Sequence, residues 1–259
     1  MKIGIFDSGL GGLVILRELK KKPPQYDYIY LGDTKNLPYG NKSQMKIYGL
    51  AVRAVEYLFQ QDCELIIMAC NTVSSQALCK LQQEYLPKSK YKHRRILGVI
   101  RPTAETVIRS RITVGLIGTN RTVDSSAYSR ELENVNPKIK LVAQATPRLV
   151  PMIEARKLDK VVLKSYLTQF KNINTLILGC THYGLIKHEI QKLLPNTKII
   201  AQEDLLPSKL RSYLRRHKVL ERKLSKHGKI ELQVTKINPV YKKLAKHWFG
   251  NTNLNIARY

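Results

Sequence analysis

Short apolar runs alternate with longer amphipathic segments along most of this chain. Such runs have the length of buried parallel strands, and the segments between them have the periodicity of helices that cover a sheet. The pattern therefore predicts an α/β fold with mostly parallel sheets. The predicted strands span residues 2–6, 28–31, 65–69, 96–99, 113–117, 140–143, 175–178 and 198–200. The predicted helices span residues 12–21, 43–61, 74–85, 125–133, 160–170, 186–194 and 240–248.

The spacing of the strands indicates a repeated plan. Cys70 follows Gly4 of the first strand by 66 residues, and Cys180 follows Gly115 of the fifth strand by 65. Each cysteine ends an apolar run and precedes small polar residues. Because ligands bind at the carboxyl edge of parallel strands, a duplicated βα unit would place both thiols on one cleft, where they suggest two-base proton transfer. Coincidence between two ordinary α/β stretches is the alternative reading.

Two further loops have the composition of ligand-binding turns. In the first, Asp7 and Ser8 precede glycines that let backbone amides approach an anion at a helix N-terminus. This loop lacks the dinucleotide-binding and P-loop spacings, so it is either a capped tight turn or a catalytic loop in which Asp7 meets a substrate ammonium or tunes a thiol. In the second, Pro38, Tyr39 and Gly40 predict a turn whose amides can hold a carboxylate.

The two cysteine loops carry different polar residues after the thiol. At both strand ends we expect the following helix N-terminus to lower the thiol pKa from its ordinary value of about 8.5. His182, two residues after Cys180, either packs at a helix start or sets the protonation of that thiol. A lone cysteine is usually a small apolar group, and we interpret Cys63 and Cys79 in that way.

The charge balance is the unusual bulk property of the chain. It has 45 Lys and Arg against 19 Asp and Glu, a formal net charge of +26, and the densest basic stretch covers residues 215–229. A field of this size attracts polyanions, although a solvated basic helix face is the simpler interpretation. A second basic stretch at residues 87–95 predicts an exposed connection and a crossing between domains. No nucleic-acid-binding motif accompanies either stretch.

Other classes of protein are disfavoured. No run approaches the roughly 18 apolar residues of a membrane helix, and the first residues lack an export signal, so we expect a cytoplasmic protein that does not enter the membrane. Four cysteines without a CxxC pair indicate neither a disulfide framework nor a metal site. No lysine stands in an evident Schiff-base setting, and we predict no cofactor and no metal.

Taken together and in this order, six stretches resemble glutamate racemase of the aspartate/glutamate racemase family. They cover residues 4–13, 30–40, 69–75, 118–128, 146–154 and 178–186. The resemblance runs over nearly the whole chain and ends with residues 241–250, which look like the last helix of the family. It implies two similar, mostly parallel-sheet βα domains with the active site in the cleft between them. The first domain would be discontinuous, covering 1–93 plus 206–259, and the second would cover 94–205.

The same resemblance implies the chemistry and the residues of the site. Cys70 and Cys180 would be the two acid/bases of cofactor-independent glutamate racemisation, with Cys70 on the D-glutamate side, and the product D-glutamate would enter peptidoglycan. Asp7, His182 and Glu154 would tune the acid/base groups. The residues implied to bind or adjoin the substrate are Asp7, Ser8, Pro38, Tyr39, Gly40, Asn71, Thr72, Thr119, Thr122, Thr181 and His182.

Some positions depart from the family pattern, and two rival functions stay open. Arg101, Thr103 and Arg121 are unusual for the family, Gly184 replaces a frequent proline, and residues 201–204 replace a common Asp-Ser-Gly. One rival is a racemase for another acidic amino acid, such as aspartate. The other is a basic protein that binds nucleic acid in addition to, or instead of, catalysis. For partners we predict glutamate, consider a homodimer, and leave nonspecific polyanion binding open.

Overall fold

A computed structural model of the chain describes residues 1–22, 25–107, 113–250 and 252–259. Its ten described strands form two sheets in which every pairing is parallel. The strands are β1 (Lys2–Asp7), β2 (Tyr28–Gly32), β3 (Cys63–Met68), β4 (Arg95–Gly98), β5 (Thr113–Gly118), β6 (Lys140–Ala145), β7 (Thr175–Gly179), β8 (Lys198–Ile200), β9 (Ile230–Val234) and β10 (Leu254–Ile256). The predicted α/β class with parallel sheets is confirmed.

The two sheets repeat the same strand order. The first reads β10-β9-β2-β1-β3-β4 and the second reads β6-β5-β7-β8. In both, the first strand of the unit lies between the second and the third, and the third is followed outward by the fourth. Gly4 pairs with Ile66 in the first sheet, and Gly115 pairs with Leu176 in the second. The repeated plan inferred from spacing is therefore present in the topology, with β9 and β10 added to one edge.

Helices connect the strands and cover the sheets. They are α1 (Gly11–Lys20), α2 (Gln44–Gln60), α3 (Asn71–Gln76), α4 (Leu78–Lys80), α5 (Ile100–Thr106), α6 (Asn120–Asp124), α7 (Ala127–Val135), α8 (Leu149–Glu154), α9 (Lys160–Leu167), α10 (Lys187–Leu193), α11 (Gln202–Arg216), α12 (Lys218–Lys223) and α13 (Pro239–Phe249). A π-helical turn spans Leu81–Tyr85, and 3-10 turns span Thr34–Asn36, Tyr39–Asn41, Leu86–Lys88, Thr168–Phe170 and Thr181–Ile186.

Side chains of the central strands alternate between an inner and an outer core. Ile3 and Ile5 of β1 share one buried cluster with Val114 and Leu116 of β5, so the inner core belongs to both sheets. Phe6 belongs to a separate cluster between the first sheet and α2, and other residues build a third cluster on the outer face of the second sheet. The period of two places each residue on one face, which is why strands buried on both faces are apolar throughout.

Several predicted boundaries shift. The predicted helix over residues 74–85 is interrupted at Ala77, whose φ of −127° leaves the helical region, and it continues as α4 and a π turn. Strands β9 and β10 were not predicted.

The two predicted domain boundaries lie just before β4 and inside α11. Strand β4 pairs with β3, so it lies in the first sheet, whereas the predicted boundary at 93/94 assigns it to the second domain. The boundary at 205/206 falls inside α11. By strand pairing, the first sheet contains β4 up to Gly98, and β9 and β10 return the C-terminal segment to that sheet. The division into domains stays a prediction.

Candidate active site

A cleft opens where the carboxyl ends of the central strands of both sheets meet. Eleven of the predicted site residues line it, namely Ser8, Pro38, Tyr39, Gly40, Cys70, Asn71, Thr72, Thr119, Cys180, Thr181 and His182. Cys70 lies two residues after the end of β3, and Cys180 directly follows β7. Both thiols are buried. The duplicated strand order thus delivers the two thiols to one cleft, as the spacing predicts.

Cys70 occupies a nearly apolar setting with one hydroxyl neighbour. It is the residue before α3, and its Sγ lies 3.4 Å from the Ser8 Oγ. Burial, followed by the nearby charge of Asp7, raises the pKa of Cys70 to about 12, although the Ser8 hydroxyl and the Val73 amide act in the opposite direction. The prediction that the helix N-terminus lowers this pKa is wrong because removal of the thiolate from water outweighs the helix end. At neutral pH Cys70 is a neutral thiol.

Cys180 has an imidazole as its neighbour. The Cys180 Sγ lies 3.6 Å from Nδ1 of His182, and Nε2 of His182 lies 2.6 Å from Oε1 of Glu154. Although burial lowers the pKa of His182, its hydrogen bonds to Cys180 and Glu154 and their charges raise that pKa well above its ordinary value. The imidazole of His182 thus stands between the Cys180 thiol and the Glu154 carboxylate.

Glu154 stands behind His182 and does not line the cleft. Its Oε1 also accepts hydrogen bonds from the Tyr241 hydroxyl at 3.1 Å and from the Leu10 amide at 3.4 Å. These donors come from α13 and from the loop after β1, so the first-sheet part of the chain fixes a carboxylate that serves the second cysteine. The resulting chain Glu154–His182–Cys180 joins the end of α8 to the loop that follows β7.

Asp7 is fully buried behind the wall of the cleft. Its Oδ2 accepts hydrogen bonds from the amides of Gly9 and Gly12 at 3.1 and 3.0 Å, and its Oδ1 accepts one from the Thr181 hydroxyl at 3.2 Å. Burial raises the pKa of Asp7, while the charge of His182 and these hydrogen bonds lower it. The carboxyl group therefore holds the first loop against the Cys180 loop, and its charge is one cause of the raised pKa of Cys70.

Three threonines meet across the cleft. The Thr72 Oγ1 lies 2.9 Å from the Thr119 Oγ1, and Thr122 contacts both hydroxyls at 3.4 and 3.1 Å. Thr122 is buried behind the other two and does not line the cleft. Arg121, next to it, donates a hydrogen bond from Nε to the Lys42 carbonyl at 2.8 Å. This unusual residue thus links the Thr119 loop to the segment that follows the Tyr39 turn.

The turn at residues 38–40 is held by Asp33, an acidic residue that was not among the predicted site residues. The Tyr39 hydroxyl donates to Asp33 at 2.6 Å, and Thr235 donates to the same carboxylate at 2.8 Å. Asp33 is buried at the end of β2, where its neighbours fix the ring of Tyr39 beside the cleft. A carboxylate at a strand end was a signal in the sequence, but it lay outside the four loops predicted to bind a ligand.

Other lining residues were also missed. The lining also includes Thr146, Pro147, Val150 and Pro151, and Asn120 completes the Thr119 loop. The first four belong to the stretch 146–154, in which the resemblance implies a role for Glu154 alone. The Asn71 amide is held through its Oδ1, which accepts a hydrogen bond from the Tyr128 hydroxyl at 2.6 Å. Its Nδ2 has no partner among the described residues, which leaves a buried donor beside the cleft.

The two remaining cysteines differ from each other. Cys63 is buried in the outer core of the first sheet, as interpreted, and burial raises its pKa to about 12. Cys79 is exposed, and its thiol donates a hydrogen bond to Gln83 at 3.2 Å. The packing interpretation is therefore wrong for Cys79, because the interruption at Ala77 turns α4 toward solvent. Neither thiol lines the cleft.

The family model described as Asp/Glu/Hydantoin racemase matches residues 14–203. The chain belongs to this family of racemases. A glutamate racemase from Hydrogenobaculum sp. is 39% identical over 218 residues, which cover 80% of each protein. A glutamate racemase from Persephonella marina is 35% identical over 253 residues, which cover 94% of this chain and 92% of the relative. Racemases are isomerases, and membership of the family makes this chain an enzyme of that class.

A solved structure agrees with the sequence matches. Glutamate racemase from Francisella tularensis, determined in complex with D-glutamate, superimposes with a TM-score of 0.86 at 33% identity, covering 100% of this chain and 97% of that one. The two-domain racemase fold predicted from the resemblance is therefore confirmed. No helix within the described residues is long and apolar enough to cross a membrane. Nor do these residues contain a group of three or more His, Cys, Asp or Glu placed to hold a metal ion.

Proposed function

We propose that this enzyme interconverts L- and D-glutamate without a cofactor, using Cys70 and Cys180 as its two acid/bases. The observation that carries the proposal is the arrival of both thiols, from equivalent strand ends of a duplicated unit, on one cleft. Inversion at Cα removes a weakly acidic proton from one face and returns a proton to the other. A base and an acid must therefore stand on opposite faces of the substrate.

The surroundings of the two thiols suggest which of them carries a proton in the resting enzyme. Cys70, with its raised pKa, holds a proton at neutral pH. Imidazolium at His182, supported by Glu154, would stabilise a thiolate at Cys180. In this state Cys180 accepts the Cα proton of L-glutamate while Cys70 donates its own proton to the opposite face. The reverse arrangement serves D-glutamate, for which Cys70 is the base, as the family resemblance implies.

The remaining lining residues would hold the amino acid in place. Backbone amides of the Tyr39–Gly40 turn and of the Cys70 and Cys180 loops suit the carboxylates, and the unpaired Nδ2 of Asn71 is a further donor. Without an electron sink, such hydrogen bonds in a cleft closed to water would have to stabilise the charge that develops on the α-carboxylate. Ser8, Thr72, Thr119 and Thr181 offer hydroxyls to the same substrate, and Asp7 and Glu154 act from behind.

The biological setting follows from this activity. D-glutamate produced in the cytoplasm would supply peptidoglycan synthesis, as the family resemblance implies. A homodimer remains a prediction, which light scattering of the purified enzyme would test.

The decisive experiment incubates purified enzyme with each glutamate enantiomer in deuterated water, without added cofactor. Polarimetry should show the rotation falling to zero from either side, and NMR should show deuterium at Cα. Absence of both signals from either enantiomer would refute the activity. Parallel incubations with L- and D-aspartate test the rival substrate. Aspartate lacks one methylene, so a cleft fitted to glutamate should process it at least about 10-fold more slowly.

A further inference from the structure

A groove beside the first sheet gathers basic residues from two parts of the sequence. It lies between the start of β4 and the junction of α11 with α12. The basic residues that line it are His93, Arg95, Arg215, Arg216, Lys218 and Lys223. These come from the two basic stretches, 87–95 and 215–229, which are more than a hundred residues apart in the sequence. The fold therefore gathers two separate runs of positive charge into one concave surface.

The charge in this groove is not neutralised by the protein. Its acidic residue, Glu64, is nearly buried and forms an ion pair with Lys223 at 2.8 Å. The Arg95 guanidinium donates to the carbonyls of His93 and Arg94, and Arg216 donates to that of Ser212, but carbonyls leave the charges in place. Within the described part of the chain, no carboxylate forms an ion pair with any of the arginines of the groove or with Lys218.

The kind of ligand follows from this arrangement. Four uncompensated cations exceed what one carboxylate or one phosphate balances, so a ligand with repeated anionic groups fits better. A flat anionic membrane would contact a convex or planar basic face with apolar side chains to insert, whereas these cations line a groove whose exposed large apolar side chain is Val219. His217, which is stacked on Tyr213 with 4.0 Å between ring centroids, adds a flat surface on which a base can stack.

We propose that this groove, called here the basic groove, binds the phosphodiester backbone of nucleic acid without sequence preference. The proposal is independent of the racemase activity, since no residue of the groove lines the cleft. The contacts are made to phosphates by arginine and lysine, which give affinity that depends on salt but carry no sequence information.

The test compares two variants that remove the same charge from different places. The groove variant combines Arg215→Gln, Arg216→Gln and Lys218→Gln. The control variant combines Lys160→Gln, Lys164→Gln and Lys171→Gln, all exposed on or near α9 of the second sheet. Both fall from +26 to +23 in formal net charge. Fluorescence anisotropy measures binding of a labelled single-stranded oligonucleotide of mixed sequence between 50 and 300 mM NaCl.

We expect the groove variant to bind about 10-fold or more weakly at low salt. The slope of log K against log salt should become shallower by about 2, because each lost phosphate contact on a single strand removes about 0.7 from it. The control variant should retain the wild-type slope, and both variants should retain wild-type racemisation, which verifies folding. Equal losses in the two variants would overturn the proposal, as would wild-type enzyme that sediments with phosphatidylglycerol vesicles but does not bind the oligonucleotide.

Discussion

The Cys70 and Cys180 loops have the same place in the repeated topology and opposite surroundings. Cys70 is backed by the Ser8 hydroxyl and by apolar residues, and its raised pKa keeps it protonated. Cys180 is backed by an imidazole and a carboxylate. The backbone of the repeat therefore fixes where the two thiols lie, and the side chains around them differ, with Tyr241 of the added C-terminal segment behind Glu154.

The largest expected effect comes from removing either thiol. Cys70→Ser and Cys180→Ser should each reduce inversion by at least about 10³-fold, since an alcohol is a far weaker acid than a thiol, so it neither ionises to act as the base nor readily donates a proton. In deuterated water each variant should still exchange the Cα proton of one enantiomer, and the two variants should differ in which one. Cys63→Ser and Cys79→Ser are the matched controls and should remain active. Comparable losses in all four variants would contradict the assignment of the two thiols.

Replacing the His182 imidazole should affect proton exchange on the Cys180 side more than on the Cys70 side. His182→Asn should lower kcat/KM by about 100-fold, because it removes the group that holds charge beside Cys180. The enantiomers have equal free energy, so kcat/KM must fall equally in both directions. The difference should therefore appear in exchange, with deuterium entering L-glutamate more slowly than D-glutamate. Glu154→Gln, which keeps a hydrogen-bonding side chain on His182, should cause a smaller loss. Equal exchange from both enantiomers would mean that His182 serves both thiols.

A buried carboxylate behind the Cys180 loop should make stability depend on pH. A methyl group at Gly184 would come within 2.4 Å of Oε1 of Glu203, so this side chain packs directly against the loop. Burial raises the pKa of Glu203 from 4.5 to about 7. The folded state then binds more protons than the unfolded state between these pH values, and the contribution of Glu203 to stability falls as pH rises toward 7.

Glu203→Gln should therefore be more stable than the wild type by about 2 kcal/mol at pH 8, and the difference should shrink as pH falls to 5. Urea unfolding at the two pH values measures it. Asp204→Asn, a neighbouring change of the same charge at an exposed ion pair with Lys187, is the control and should not show this dependence. A gain from Glu203→Gln that is independent of pH would contradict the raised pKa, because it would mean that Glu203 ionises alike in the folded and unfolded states.

The smallest expected effect concerns the Cys70 side. Ser8→Ala removes the hydroxyl 3.4 Å from the Cys70 Sγ, which acts to lower the pKa of that thiol. The loss should be about 1 kcal/mol, or roughly 5-fold in kcat at neutral pH. Because the pKa of Cys70 rises in this variant, its pH–rate profile should shift to higher pH, where activity recovers. A pH–rate profile displaced uniformly downward would instead indicate a defect in substrate binding.

The periodic pattern was sufficient for the central strands and insufficient at the edges. It predicts the eight strands of the repeated unit because each contains a run of apolar residues. The ninth, Ile230–Val234, alternates apolar with polar residues and follows a basic stretch, and the tenth, Leu254–Ile256, is three residues long. Both depend on a partner strand for their stability, since β9 pairs with β2 and β10 pairs with β9.

The site could be predicted as residue types at strand ends, but its electrostatics could not. The sequence places a helix after Cys70, yet the depth of burial that raises its pKa depends on packing from both sheets. Likewise, Glu154 and Tyr241 are 87 positions apart, and their contact depends on the return of the C-terminal segment to the first sheet. The role of Asp33 could not be predicted from its place at a strand end. Asp33 holds the hydroxyl of Tyr39, and only the folded turn creates this contact.

The inner core gives the two-part fold the behaviour of one folding unit. Ile3 and Ile5 of the first sheet share their buried cluster with Val114 and Leu116 of the second. Neither sheet could be separated from the other without exposing this apolar surface to water, which costs about 25 cal/mol for each Å². Heat should therefore melt both parts in a single transition.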